Sequence, residues 1–275
     1  MFTRPLSEPR LARLLRRDRA IVLVAIAILA AMAWTYVVLL SRTMVMGGMD
    51  MSGYRAVPGL EAMMMVPADQ RWAAEEFFLV FVMWAVMMVG MMMPSATPMI
   101  LIYTRLARQS AGQGRPLPPA ACFAAGYLLT WGTFALAATA CQWALDQLAL
   151  LSPMMAMTSG IFGGVILIAA GLYQWSPLKD ACLRLCQSPW LFIQDNGGFR
   201  RDAKGALLLG ARHGAYCVGC CWVLMALLFV LGVMNVLWIA LLAIMVLAEK
   251  IIPGRLLPRI AGFLLLVAGL SAIFS

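Results

Sequence analysis

The chain has 275 residues, 63% of them hydrophobic and 12% charged, with a mean hydropathy of +0.88. A soluble domain carries about 25% charged residues, so the composition excludes an ordinary soluble fold and predicts an all-α, polytopic membrane helix bundle. The formal charge of +9 is read as a topology signal, with the lipid bilayer as partner and no nucleic acid expected.

A membrane span needs roughly 20 apolar residues. A basic arm, residues 1–19, precedes an apolar run at 20–41. A cleavable signal peptide has a shorter apolar core, so 20–41 is read as a retained first transmembrane helix. Residues 42–76 form a Met-rich loop. Further spans are expected at 77–102, 119–145, 157–175, 214–234, 236–251 and 257–274, giving about seven transmembrane helices. The six later spans make up a membrane core, 77–275, interrupted by a connection at 176–213. Gly232-Val233-Met234-Asn235 marks a tight turn. The short span at 236–251 leaves a six-span alternative with a re-entrant element open.

Lys and Arg concentrate in cytoplasmic connections. Here 18 of the 21 fall in the arm, in the connections after the second and fourth spans, and at 249–259. The remaining three, Arg42, Arg55 and Arg71, share the first loop with five acids. The expected orientation has a cytoplasmic N-terminus, an external 42–76 loop and, with seven spans, an external C-terminus. The expected location is a bacterial inner membrane.

The candidate site residues carry sulfur. Residues four apart share a helix face, so Met83, Met87 and Met91 form a ladder on the second span, flanked by Met88 and Met92. On the fifth span His213, Cys217, Cys221 and Met225 form another, and Cys220 lies three residues from Cys217. Thioethers and thiolates favour Cu(I) over hard cations. Core packing competes as a reading for each Met, because Met fills irregular gaps; the three clustered cysteines favour a metal or redox role. A closed zinc site takes four ligands, which one His and three crowded Cys do not easily supply. Met44, Met46, Met49 and Met51 alternate with Gly and Asp in the external loop, where there is no core to fill, and are read as a metal-capture segment. Pro177 to Cys186 reads as a short amphipathic cytoplasmic helix with Cys182 and Cys186 on one face. Glu249-Lys250 is read as an interfacial pair ending the sixth span.

Several of these motifs resemble an uncharacterised bacterial family of predicted metal-binding integral membrane proteins. The resemblance rests on Met83-Trp84 through Met92-Met93-Pro94-Ser95, on Pro177-Leu178-Lys179 with Cys182-Leu183 and Cys186, and on Tyr216-Cys217 with Gly219-Cys220-Cys221-Trp222. It extends through Leu224-Met225 and Gly232 to Asn235, ends at Glu249-Lys250, and covers roughly 77–253. It implies metal binding without naming a substrate.

Three functions follow as expectations. The first is binding and transfer of Cu(I) within or across the membrane by a transporter or delivery protein, with a periplasmic copper chaperone or cuproenzyme as partner. The second is a thiol-disulfide oxidoreductase, with Cys217 and Cys220 reactive and Cys182 and Cys186 as a shuttle pair. The third is a non-catalytic structural or assembly subunit of a larger membrane complex. The first is preferred, and it is not enzymatic.

Overall fold

In the computed structural model the described residues are 8–45, 54–58, 63–67, 71–114, 116–148, 150–151 and 159–274. Several helices start where the sequence supplies an oxygen for their unpaired N–H groups. Ser159 Oγ accepts from Phe162 N ahead of α4 (Gly160–Gln174), and Ser176 Oγ accepts from Lys179 N ahead of α5 (Pro177–Gln187). Asp202 caps α7 (Ala203–Ala226) through Gly205 N, and Asn235 caps α9 (Val236–Ile251) through Leu237 N and Trp238 N. Pro177 also opens α5 at a position where its missing N–H costs nothing.

The remaining elements are α1 (Glu8–Val45), α2 (Ala74–Gly112), α3 (Ala120–Gln147), α6 (Pro189–Asp195), α8 (Leu228–Leu231) and α10 (Leu256–Phe274). One antiparallel hairpin, β1 (Tyr54–Pro58) with β2 (Met63–Pro67), pairs Ala56 with Met65. Among the described residues the architecture is all-α apart from that hairpin, which occupies part of the expected first loop. The expected basic arm and first span are one helix from Glu8 onward, and α1 runs past residue 41 to carry Met44 on its last turn.

The expected count of about seven spans is corrected to five, or six. Arg17–Arg42, Ala74–Ala111, Ala120–Gln147, Ala203–Leu231 and Leu256–Phe274 are long and apolar enough to cross a membrane. At 1.5 Å per residue, α4, with 15 residues, is about 23 Å long and α9, with 16, about 24 Å. Both fall short of the ~30 Å hydrocarbon layer. Joined to α5 across a 61° bend, α4 makes a sixth where that bent pair counts as one span. An external C-terminus therefore no longer follows from counting. The expected fifth span also begins earlier, at Ala203 rather than 214, so the expected 176–213 connection holds α5, α6 and the start of α7.

Two helix pairs close on glycine. A Cβ on Gly210 of α7 would stand 1.9 Å from the Phe123 carbonyl oxygen of α3, and one on Gly126 of α3 1.9 Å from the Leu207 carbonyl oxygen. Only glycine permits that approach. Thr130 Oγ1 then donates across the seam to Ala211 O at 3.0 Å. The α4–α10 pair is sealed in the same way by Gly164 against Gly269 and Gly171 against Gly262. The longest helix, α2, is tied to α3 by Trp84 Nε1 donating to Gln142 Oε1 at 2.7 Å, and to α1 by a bidentate Arg108–Asp18 pair at 2.6 Å. This frame packs α3 against both α2 and α7.

Candidate functional site

Cys217 is the midpoint of the Ala203–Leu231 span, and Met92 lies at the middle of Ala74–Ala111. Tyr127, buried on α3, joins the two midpoints: its hydroxyl donates to Met92 O and stands against Cys217 Sγ, both at 3.1 Å. Lys250 of α9 completes the cluster. Its ammonium donates to Cys217 Sγ and to Ser95 Oγ, each at 2.8 Å. Four helices thus meet on one sulfur through one cation and two hydroxyls. A cation beside sulfur inside an apolar bundle is held by charge as well as by hydrogen bonding.

Glu249, next in the chain, points into a second buried pair. Its Oε2 accepts from Lys179 Nζ of α5 at 2.7 Å, with the two side chains 1% and 0% exposed. The expected interfacial Glu249-Lys250 pair is therefore corrected. Glu249 is buried against Lys179, and Lys250 turns to Cys217, so the two neighbours serve different partners. Gln187 Nε2 adds a 2.6 Å bond to Glu249 O, fixing the end of α5 to the end of α9.

Cys220 has a different environment. One turn beyond Cys217, its Sγ lies 4.0 Å from Cys186 Sγ of α5. Its thiol and that of Cys221 donate to Cys217 O, at 3.1 and 2.9 Å. Cys182, one turn before Cys186, packs on Gly219, where a Cβ would stand only 2.8 Å from its sulfur. Tyr173 of α4 donates its hydroxyl to Gly219 O. The bare backbone at Gly219 lets α5 lie close enough to α7 for Cys186 to reach Cys220. All seven cysteines are free thiols.

Of the expected ligands, Met83, Met87, Met88, Met91, Met92 and Met225 are buried, as are Cys217, Cys220, Cys221 and His213; Cys182 and Cys186 are partly buried. The defined sulfur-to-sulfur approach joins α7 to α5. α2 meets the partners of Cys217 rather than its sulfur: Ser95 Oγ accepts from Lys250 and the Met92 carbonyl accepts from Tyr127. His213 sits among the rings of Phe192, Phe123 and Tyr127, with centroids at 5.0, 5.8 and 5.8 Å, and its Nδ1 has no partner among the described residues. It lies well inside α7. Met46, Met49 and Met51 lie outside the described residues.

The donor set can be tested against a metal. Two sulfurs on one ion, with bonds of about 2.3 Å and an angle of about 120°, stand ~4.0 Å apart, which matches Cys186 and Cys220. Among the described residues no three His, Cys, Asp or Glu side chains form a metal-holding group. The described residues thus lack a closed four-ligand zinc site, whereas a pair of thiols is a soft donor set.

A family model described as PpoB2, a copper chaperone, matches residues 81–272. The chain belongs to that family. No curated protein and no solved structure matches it. The matched stretch contains every residue of the two cysteine clusters, Lys250 and the α2 methionines, and excludes α1 and Met44 to Met51. The protein's role is therefore copper-related, which gives a metal to the resemblance drawn from the sequence.

Sequence reasoning missed Lys250, Tyr127, Ser95, Lys179 and Glu249 as site residues. The available signal was an acid and a base inside or beside apolar runs, where ionisable groups rarely lie without a partner.

Proposed function

We propose that the protein carries Cu(I) as cargo on sulfur within the bacterial inner membrane, for transport or for delivery to a periplasmic copper protein. The observation that carries this reading is the cross-helix pair Cys186–Cys220 at 4.0 Å, lying inside the segment that matches a copper-chaperone family. In this reading the segment bearing Met44, Met46, Met49 and Met51 gathers the ion outside. Met83, Met87, Met88, Met91 and Met92 give α2 a buried run of thioethers along which it exchanges ligands. Cys186 and Cys220 then hold it between α5 and α7, with Cys221 and Cys217 within about one turn of Cys220 on α7, Met225 about one and a half turns on, and Cys182 one turn away on α5. A thiol gives up its proton as the metal binds, so transfer from methionine onto cysteine releases a proton, transfer between methionines does not, and transfer from one cysteine to another is proton-neutral because the thiolate left behind takes the proton up. His213 contributes the aromatic-enclosed end of the same α7 face.

Lys250 has a separate part. A sulfur already accepting from an ammonium and facing a hydroxyl is less available to a metal than one facing another sulfur. Cys217 is therefore assigned to holding the helices in place and Cys220 to holding the cargo. No bond-making chemistry is assigned; the protein exchanges ligands around an ion. The test is copper per purified chain, comparing the wild type with a variant carrying Ser at 217, 220 and 221. The expected outcome is loss of the bound copper; unchanged stoichiometry would reject the site.

A further inference from the structure

A cleft of about 140 Å³ opens where the end of α4, the start of α5 and the first turn of α10 meet, lined by Gln174, Trp175, Asp180, Arg255, Pro258 and Arg259. It shares no residue with the site described above. Gln174 is 2% exposed, and neither its Oε1 nor its Nε2 has a hydrogen-bond partner among the described residues. A buried amide left unpaired on both atoms is costly, and this one lines the cleft. Arg255 pairs with Asp180 at 3.2 Å, while Arg259 anchors the rim through its carbonyl, which accepts from Trp175 Nε1 at 3.1 Å. Two arginines against one acid among the lining residues give the cleft a net positive lining at the N-terminal end of α10, where the helix dipole also favours an anion.

We infer that this cleft binds the headgroup of an anionic glycerophospholipid, its phosphate against Arg255 and Arg259 and a headgroup hydroxyl or phosphate oxygen against the Gln174 amide. The volume equals about five waters at ~30 Å³ each, room for a small polar group and not for an acyl chain. The chains have exposed apolar side chains available close by in sequence: Leu178, Leu256 and Ile260, within two residues of the lining Asp180, Arg255 and Arg259, are exposed. Trp175, 46% exposed, has the amphipathic character of a residue at the headgroup level. A free phosphate uses the arginines and the amide but has no use for the flanking apolar side chains. Basic pockets between membrane helices take lipid headgroups on the same physical grounds.

The test is native mass spectrometry of the delipidated full-length chain in detergent, with phosphatidylglycerol or phosphatidylcholine added. One phosphatidylglycerol is expected to be retained in preference to phosphatidylcholine. Arg255→Gln with Arg259→Gln is expected to weaken its retention by roughly 25-fold, taking about fivefold per arginine. Asp180→Asn, which removes the carboxylate, is expected to strengthen retention, a change of sign that a merely structural role would not give. Gln174→Leu is expected to weaken it with helical content intact. Equal retention of the two lipids, or unchanged retention in the double arginine variant, overturns the inference. Displacement of the lipid by equimolar inorganic phosphate overturns it in favour of a free-phosphate site, and weaker retention in Asp180→Asn also contradicts it.

Discussion

Cys217 and Cys220 are one turn apart on the same helix and meet opposite kinds of neighbour. Around Cys217 are an ammonium and a tyrosine hydroxyl, drawn from α9 and α3, with Ser95 of α2 sharing the ammonium. Beside Cys220 is another sulfur, drawn from α5. The first region uses hard, directional contacts that lock four helices into register; the second leaves two soft donors facing each other at a spacing one ion can bridge. In a buried polar cluster the cost of leaving a partner unpaired exceeds the gain from the contact itself. The Cys217 region is thus expected to answer to stability measurements, and the Cys220 region to metal measurements.

The sharpest way to break this contrast is to mutate each cysteine alone. Cys220→Ser is expected to lose most of its copper to a competing Cu(I) chelator while the protein stays folded. Cys217→Ser is expected to keep most of the copper and to lower the unfolding midpoint. Elemental analysis and thermal unfolding of the two variants, side by side, read the result; the reverse pattern would break the division of labour.

The next largest effect concerns the buried pair behind Lys250. Glu249→Gln leaves the Lys179 ammonium buried without its counter-charge, and removing one partner of such a pair costs about 3–5 kcal/mol. Replacing both, as Lys179→Met with Glu249→Leu, is expected to recover most of that loss. Denaturant titration in detergent measures both. A single variant as stable as the wild type would show that the pair does not hold α5 to α9.

A double-mutant cycle sharpens the Cys217 side. Lys250→Met and Cys217→Ala are expected to show a coupling of about 1.5–3 kcal/mol, the range for a hydrogen bond to a charged group. Additive effects would mean that Lys250 and Cys217 are neighbours without mutual stabilisation. The smallest effect is expected at Ser176→Ala, where losing the N-cap of α5 costs about 1 kcal/mol. Because α5 carries Cys186, that variant is also expected to hold copper more weakly than its small stability loss suggests, by competition with a Cu(I) chelator.

Much of the helical frame was legible in the sequence because apolar runs of membrane length leave few alternatives. The bounds of α9 emerge as read, with Asn235 opening it and Gly232, at φ +92°, turning the chain ahead of it. The start of α7 was not legible in the same way. Lys204 and Arg212 gave 203–213 the charge of a connection, yet Asp202 caps a helix there and its apolar residues pack on α3. The hairpin at 54–67 was missed because Met63-Met64-Met65 has no period-two pattern to mark a strand. At the site, the sulfur residues could be named from linear spacing, since i and i+4 positions on one helix are fixed by geometry. The partners could not. That Lys250 reaches Cys217, or that Cys186 rather than Cys182 reaches Cys220, depends on how α5 and α9 are set against α7 by Gly219 and by the Lys179–Glu249 pair, a tertiary arrangement that no local pattern encodes.

X-ray absorption at the copper edge of the Cu(I)-loaded protein tests the central assignment most directly. The expected spectrum has a first coordination shell of sulfur alone, with a sulfur replaced by a lighter scatterer or lost in Cys186→Ser and again in Cys220→Ser. A shell dominated by nitrogen or oxygen, or one that neither substitution alters, would contradict the assignment of those two cysteines to the cargo.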